Sequence, residues 1–70
     1  MFVSIESNIP NWHTLVLELE EDSTIKDLKS LIGDELHVPV SFIILTEGGR
    51  VLEDSETVEW ETIYLGYRLV

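Results

Sequence analysis

The chain has 70 residues, of which 44% are hydrophobic and 26% charged, and this length and composition predict one small folded domain. Fourteen acidic residues against four basic ones give a net charge of -10, which opposes direct binding to nucleic acid or to anionic membranes and favours a protein partner. No cysteine is present, so disulfides, thiolate metal ligands and cysteine nucleophiles are excluded.

Two runs of alternating residues predict a hairpin at the start of the chain. Val3 and Ile5 alternate with polar residues, and leucines recur at every second position of Leu15–Glu20, which is the period expected of half-buried strands. Asn8–Asn11 supplies turn residues between the two runs. The first residues lack the basic region and long apolar core of a signal peptide or membrane span, so we expect a nuclear or cytosolic protein.

An amphipathic helix of about three turns is predicted next. Thr24 is a candidate N-cap, and Asp27 follows three residues later, as in a capping box. Gly33 falls near the predicted end of the helix, and Pro39 cannot continue it, so we expect the helix to end before Val38. The apolar face is formed by residues at helical spacing, namely Ile25, Leu28 and Ile32.

Three further strands complete the predicted fold. Phe42–Leu45 is a short apolar run, the Glu47–Arg50 turn contains two glycines, and Val51–Leu52 resumes a brief strand. Ile63–Tyr67 alternates as a last strand. A right-handed crossover through the helix would place the first and last strands side by side. The element order predicts an α+β fold of the β-grasp type, a mixed sheet of four to five strands packed on one helix.

Several short motifs resemble ubiquitin and fall in the same order with matching gaps. They are the helix start Thr24–Lys29, the Val38–Pro39 pair after the helix, and Leu52–Ser55 after the glycine turn. The resemblance covers nearly the whole chain and implies a single ubiquitin-like domain over residues 1–70. The sequence departs from ubiquitin at Glu59–Glu61, where ubiquitin has a longer loop with a short helical turn.

The shortened loop points to a particular family of ubiquitin-like domains. Together with Val38–Val40, Asp54–Val58, Ile63–Tyr64 and Arg68–Leu69, it is similar to the ubiquitin-like head of the silencing-defective-two splicing-regulator precursors. That family implies the N-terminal head of a longer precursor, cut by ubiquitin-specific deubiquitinating proteases after a diglycine expected just beyond Val70. The released C-terminal protein would join the spliceosome in pre-mRNA splicing, with silencing and genome-stability roles, in the nucleus and also in the cytoplasm.

The C-terminal residues are the first candidate site. Such a protease threads an extended tail through its cleft, and Tyr67, Arg68, Leu69 and Val70 are the residues that would occupy it. Arg68 offers a fork of donors to carboxylates, and Leu69 can fill an apolar pocket. The alternative is a frayed terminus with no role.

A recognition surface on the folded part is the second candidate site. Thr46 and Gly66 fall on two central positions of the apolar patch of ubiquitin, and Tyr64 replaces its neighbouring histidine, so generic ubiquitin receptors are expected to bind poorly. An alternative surface would use the aromatic residues Phe2, Trp12, Trp60 and Tyr64, each of which could instead be packed. The predicted surface comprises Ile44, Thr46, Gly49, Arg50, Tyr64 and Gly66.

The remaining polar residues do not predict catalysis or metal binding. His13 and His37 lack partners at ligand spacing, and the acidic run Glu18–Asp22 lacks the pattern of a calcium loop. No nucleophile motif is present. We therefore expect no enzymatic activity, no cofactor and a monomer. Two other functions stay open: a non-cleaved module that recruits a receptor or proteasome component, and a conjugated modifier or sulfur carrier, which would need terminal glycines.

Overall fold

A computed structural model describes residues 1–68, which form one helix packed on a five-stranded mixed sheet. This architecture confirms the predicted α+β β-grasp fold. No helix within the described residues is long and apolar enough to cross a membrane. The elements in chain order are β1 (Phe2–Ser7), β2 (Leu15–Glu18), α1 (Ile25–Leu36), a 3-10 turn (Val40–Phe42), β3 (Ile43–Glu47), β4 (Arg50–Val51) and β5 (Thr62–Tyr67).

The sheet has the strand order β2-β1-β5-β3-β4, with the first and last strands adjacent as predicted. β1 and β5 run parallel, with Ile5 opposite Ile63, and the other neighbours are antiparallel. β2 and β3 also run parallel to each other, because each is antiparallel to one strand of the central pair. Parallel strands require a crossover connection, and α1 is the crossover from β2 to β3. The centre of the sheet is therefore built from the two ends of the chain.

The hydrophobic core lies between α1 and one face of the sheet. Alternation along the strands directs every second side chain to that face, and the predicted apolar face of α1 covers it. No core residue is more than 6% exposed. The buried core residues are Val3, Ile5, Leu19, Ile25, Leu28, Ile32, Ile43, Leu45, Leu52, Val58, Ile63 and Leu65.

The helix is capped at both ends by polar residues. The Thr24 hydroxyl accepts a bond from the Asp27 N–H at 3.3 Å, and the Asp27 carboxylate accepts one from the Thr24 N–H at 2.9 Å, which is the predicted capping box. His37 ends the helix in the left-handed conformation, with a φ of 56°, and its N–H bonds to the Gly33 carbonyl. The helix thus ends before Val38, as the sequence predicted.

The strand boundaries on both sides of the glycine turn differ from the sequence prediction. Phe42 belongs to the 3-10 turn rather than to β3, because the Phe42 N–H bonds back to the Pro39 carbonyl at 3.0 Å. The short strand after the glycine turn is Arg50–Val51 instead of Val51–Leu52. Leu52 continues the contact through an N–H bond to the Leu45 carbonyl, but its side chain turns into the core.

Candidate recognition face and C-terminal exit

The face of the sheet turned away from α1 carries most of the predicted recognition surface. Ile44 and Thr46 alternate with buried residues of β3, and Tyr64 and Gly66 alternate with buried residues of β5. The register sets Ile44 opposite Gly66 and Thr46 opposite Tyr64. These four residues therefore form two adjacent cross-strand pairs on one face.

An open groove of about 560 Å³, the outer-face groove, runs over these pairs. Five of the six residues predicted for recognition line it, and Arg50 is the exception. Gly66 contributes space, because a Cβ atom at this position would meet nothing within 4 Å. The lining residues are Ser7, Asn8, Ile9, Ile44, Thr46, Gly49, Tyr64, Leu65 and Gly66.

One wall of the groove comes from the β1–β2 connection, which the sequence analysis did not assign to the surface. The Ser7 hydroxyl donates to the Leu65 carbonyl at 2.8 Å and accepts a bond from the Ile9 N–H at 3.2 Å. This serine fastens the start of the loop to β5. The turn residues were visible in the sequence, but the bond that brings them beside β5 joins positions 58 residues apart.

Arg50 lies outside the groove but on the surface, with a side chain that is 56% exposed. Its guanidinium makes two hydrogen bonds to the Glu56 carboxylate, at 3.0 and 2.8 Å, and lies 5.8 Å from the centre of the Trp60 ring. The bonds to Glu56 raise the pKa of Arg50, and the same contact lowers the pKa of Glu56. Arg50 fastens the loop after β4 rather than extending the groove.

The four aromatic residues of the alternative surface fall into two classes. Trp12 and Trp60 pack against the core, and the Trp12 indole N–H donates to the Ile5 carbonyl at 3.1 Å. Phe2 and Tyr64 are 64% and 52% exposed. Only the second class can offer an aromatic ring to a partner without rearrangement, and of the two Tyr64 lines the groove.

The sequence predicted Tyr67 both as the end of the last strand and as the first residue of the C-terminal tail. Tyr67 belongs to β5 and lies opposite Ile43, because the ladder with β3 extends to this residue. The Arg68 N–H donates to the Phe42 carbonyl at 2.7 Å, and its side chain is exposed. The predictions for Leu69 and Val70 lie outside the described residues. β5, which ends at Tyr67, is thus a central strand of the sheet.

The polar residues of the described part offer no evident metal site. Residues 1–68 contain no group of three or more His, Cys, Asp or Glu side chains placed to hold a metal ion. His13 and His37 are both exposed. Elsewhere on the surface, Lys29 bonds to the Asp54 carboxylate at 2.6 Å and thereby lowers the pKa of Asp54.

One helix on a mixed sheet with parallel central strands defines the β-grasp class of proteins. A sequence model of the ubiquitin family matches residues 3–62, and the chain belongs to this family. Domains of this family are typically non-catalytic. No curated protein sequence matches the chain.

Proposed function

We propose that this ubiquitin-like domain is a cleavable recognition head, which a ubiquitin-specific protease holds by the outer-face groove and cuts after a diglycine beyond Val70. The observation that carries the proposal is the double role of β5. Tyr64 and Gly66 of this strand line the groove, and the strand ends at Tyr67, the residue after Gly66.

The length of the connection suits this function. At about 3.3 Å per residue, an extended segment from Arg68 to the second of two glycines after Val70 spans about 13 Å. This distance allows a protease to contact the folded face and the cut site together. Arg68 is exposed beside the sheet and can pair with a carboxylate of the cleft. Glycines at the cut let the backbone pass through a narrow channel.

The domain would act as the substrate and not as the catalyst. The released C-terminal protein would act in spliceosomal pre-mRNA splicing, with silencing and genome-stability roles, in the nucleus and also in the cytoplasm. This part of the proposal is supported by the shortened Glu59–Glu61 loop and the Arg68–Leu69 pair, which are similar to the silencing-defective-two splicing-regulator precursors. The acidic surface, with a net charge of -10, favours a protease with a basic binding face.

The test uses residues 1–70 followed by Gly-Gly-Lys and a reporter protein, incubated with purified ubiquitin-specific proteases. Intact mass of the products locates the cut. We expect cleavage after the second glycine, and none when both glycines are alanine. The Cβ atom of a Gly66→Lys variant would meet nothing within 4 Å, and its side chain should occupy the groove and slow cleavage, whereas Ser55→Lys adds the same single positive charge at an exposed position outside the groove and should not. A fusion that stays intact with several such proteases would exclude the proposal.

A second candidate is a non-cleaved module that binds a receptor or a proteasome component. The groove itself favours it, since Ile44 and Tyr64 present apolar surface without any need for a diglycine. This function predicts stable binding that is lost when Tyr64 is replaced by alanine, together with an intact fusion in the cleavage assay. The natural residues after Val70 separate the two candidates, because the first requires Gly-Gly and the second does not.

A further inference from the structure

The strand β2 has one edge that no other strand of residues 1–68 covers. Leu19 and Met1 exchange two backbone hydrogen bonds, at 2.7 and 3.0 Å, so they form a hydrogen-bonded antiparallel pair. Such pairs recur at every second residue, which directs the backbone groups of Leu15 and Leu17 toward β1. The N–H and C=O groups of Val16 and Glu18 therefore point to the open edge.

A groove of about 500 Å³ lies between this edge and α1. Leu19, which is 5% exposed, and Leu31, which is 39% exposed, give it an apolar floor. Leu31 is the residue of α1 that the core leaves open, since Leu28 and Ile32 are completely buried. The lining residues are Glu18, Leu19, Glu20, Ser23, Asp27, Ser30 and Leu31.

Three carboxylates line the walls of this groove, and the Met1 ammonium, which bonds to the Leu19 carbonyl at 3.0 Å, is a positive charge beside them. Glu18, Glu20 and Asp27 line it, and the two ion pairs found within residues 1–68 join other residues. Lys29 is bonded to Asp54 and Arg50 to Glu56, so half of the four basic residues of the chain are engaged elsewhere. The groove therefore presents a negative potential beside an apolar floor.

We propose that the open edge of β2 and this groove together bind an extended segment of another protein, with an apolar centre flanked by lysine or arginine. The segment would pair with the backbone groups of Val16 and Glu18 as an added strand. Its inward side chains would cover Leu31, and its basic residues would meet Glu18 and Glu20. This site is separate from the outer-face groove, so the proposal does not rest on the cleavage function.

Charge selects this occupant over a second copy of the chain. Two copies joined edge to edge would bring Glu18 and Glu20 of one copy toward the same acidic residues of the other, and like charges across a strand pair are destabilising. The net charge of -10 adds long-range repulsion between copies. A basic segment turns both effects into attraction.

The test titrates the 70-residue chain into a fluorescent peptide, Lys-Lys-Val-Ile-Val-Lys-Lys, and follows anisotropy at low and high salt. Binding should weaken as salt rises. The Glu18→Lys/Glu20→Lys double variant should weaken it by about tenfold or more, whereas Glu53→Lys at the other edge of the sheet should change it little. A peptide with glutamates in place of the lysines should not bind.

Two measurements test the strand pairing itself. Val16→Pro removes an N–H that points to the open edge and no ladder bond, so the variant should fold and lose peptide binding. In the wild-type chain, a peptide N-methylated at alternate residues cannot pair along the methylated edge and should bind much more weakly. Equal binding by the methylated and unmethylated peptides would overturn the proposal, as would unchanged binding by the double variant. A dimer of the free chain that Val16→Pro abolishes would assign the edge to a second copy instead.

Discussion

The two faces of the sheet differ in what determines their structure. The inner face is covered by α1, and its buried apolar residues in β1, β3 and β5 are at most 5% exposed. The outer face mixes small, polar and apolar side chains, from Gly66 to Tyr64, around an open groove. Burial constrains each inner residue separately, whereas the shape of the outer face depends on which residues the strand register brings together. Stability should therefore be sensitive on the inner face and binding on the outer one.

The largest effect is expected from Leu28→Ala in the centre of α1. Leu28 is fully buried, and its truncation leaves a cavity that should lower the free energy of unfolding by about 2–5 kcal/mol. A domain this small has little stability in reserve, so the thermal transition should fall steeply. Chemical denaturation of the wild type and the variant measures the difference.

Leu31→Ala on the same helix is the matched control. Leu31 is 39% exposed, so the same truncation should cost less than about 1 kcal/mol. Equal losses at Leu28 and Leu31 would contradict the assignment of the buried helix face.

A second contrast uses two glycines. A Cβ atom at Gly33 would lie 2.8 Å from the Val38 carbonyl oxygen, which belongs to the backbone and cannot move alone. We expect Gly33→Ala to destabilise the fold by about 1–3 kcal/mol, although alanine favours helix more than glycine does. The Cβ atom of Gly66→Ala meets nothing within 4 Å, so its effect should stay within about 0.5 kcal/mol. A stabilised Gly33→Ala variant would show that the backbone at Val38 can shift to accommodate the added methyl group at little cost.

The inner face and the helix start could be predicted from the sequence because both depend on local patterns. Alternation identified Val3 and Ile5, and the Thr24–Asp27 spacing identified the capping box. The helix end was predicted less directly. Gly33 falls inside α1 because close packing requires it there, and the left-handed residue that ends the helix is His37. The sequence alone did not show whether Gly33 was needed to end the helix or to let the Val38 carbonyl pack against it.

The outer site could be predicted only in part, because it depends on contacts between distant residues. The register of β3 against β5 brings Thr46 beside Tyr64, and five of the six predicted residues share the groove. The bond from Ser7 to β5 and the ion pair that holds Arg50 cannot be read from local spacing. Alternation did predict that the last strand ends at Tyr67, and β5 ends there, with Tyr67 opposite Ile43.

A smaller effect is expected at the edge between the two faces, where Arg50 holds Glu56. This contact lowers the pKa of Glu56 below its ordinary value of 4.5. A lowered pKa in the folded state contributes stability above the ordinary value, and that stability is lost as pH falls through the folded value. Denaturation of wild type and Glu56→Gln across acidic pH should show a small difference near neutrality that shrinks below about pH 4.5.

The stability of Glu56→Gln must be subtracted from that of the wild type at each pH, because acidification also relieves repulsion among the other carboxylates of the chain. Glu59→Gln, at an exposed position in the same loop, measures that background. High salt should reduce the Glu56 contribution as well. A difference that grows as pH falls would mean that the Arg50–Glu56 pair does not stabilise the fold in solution.

Tyr64→Ala is expected to have a small effect on stability and a large effect on recognition. Tyr64 is 52% exposed, so removal of its ring should change the free energy of unfolding by less than about 1 kcal/mol. The same ring lines the groove opposite Thr46, where a partner would cover it. In the diglycine fusion assay we expect kcat/KM to fall by about tenfold, chiefly through KM, while Tyr64→Phe keeps most of the rate. If the variant unfolds, Tyr64 is required for stability. If the variant folds and is cleaved like the wild type, Tyr64 does not take part in recognition. Loss of cleavage with an unchanged thermal transition is the result that separates the functions of the two faces.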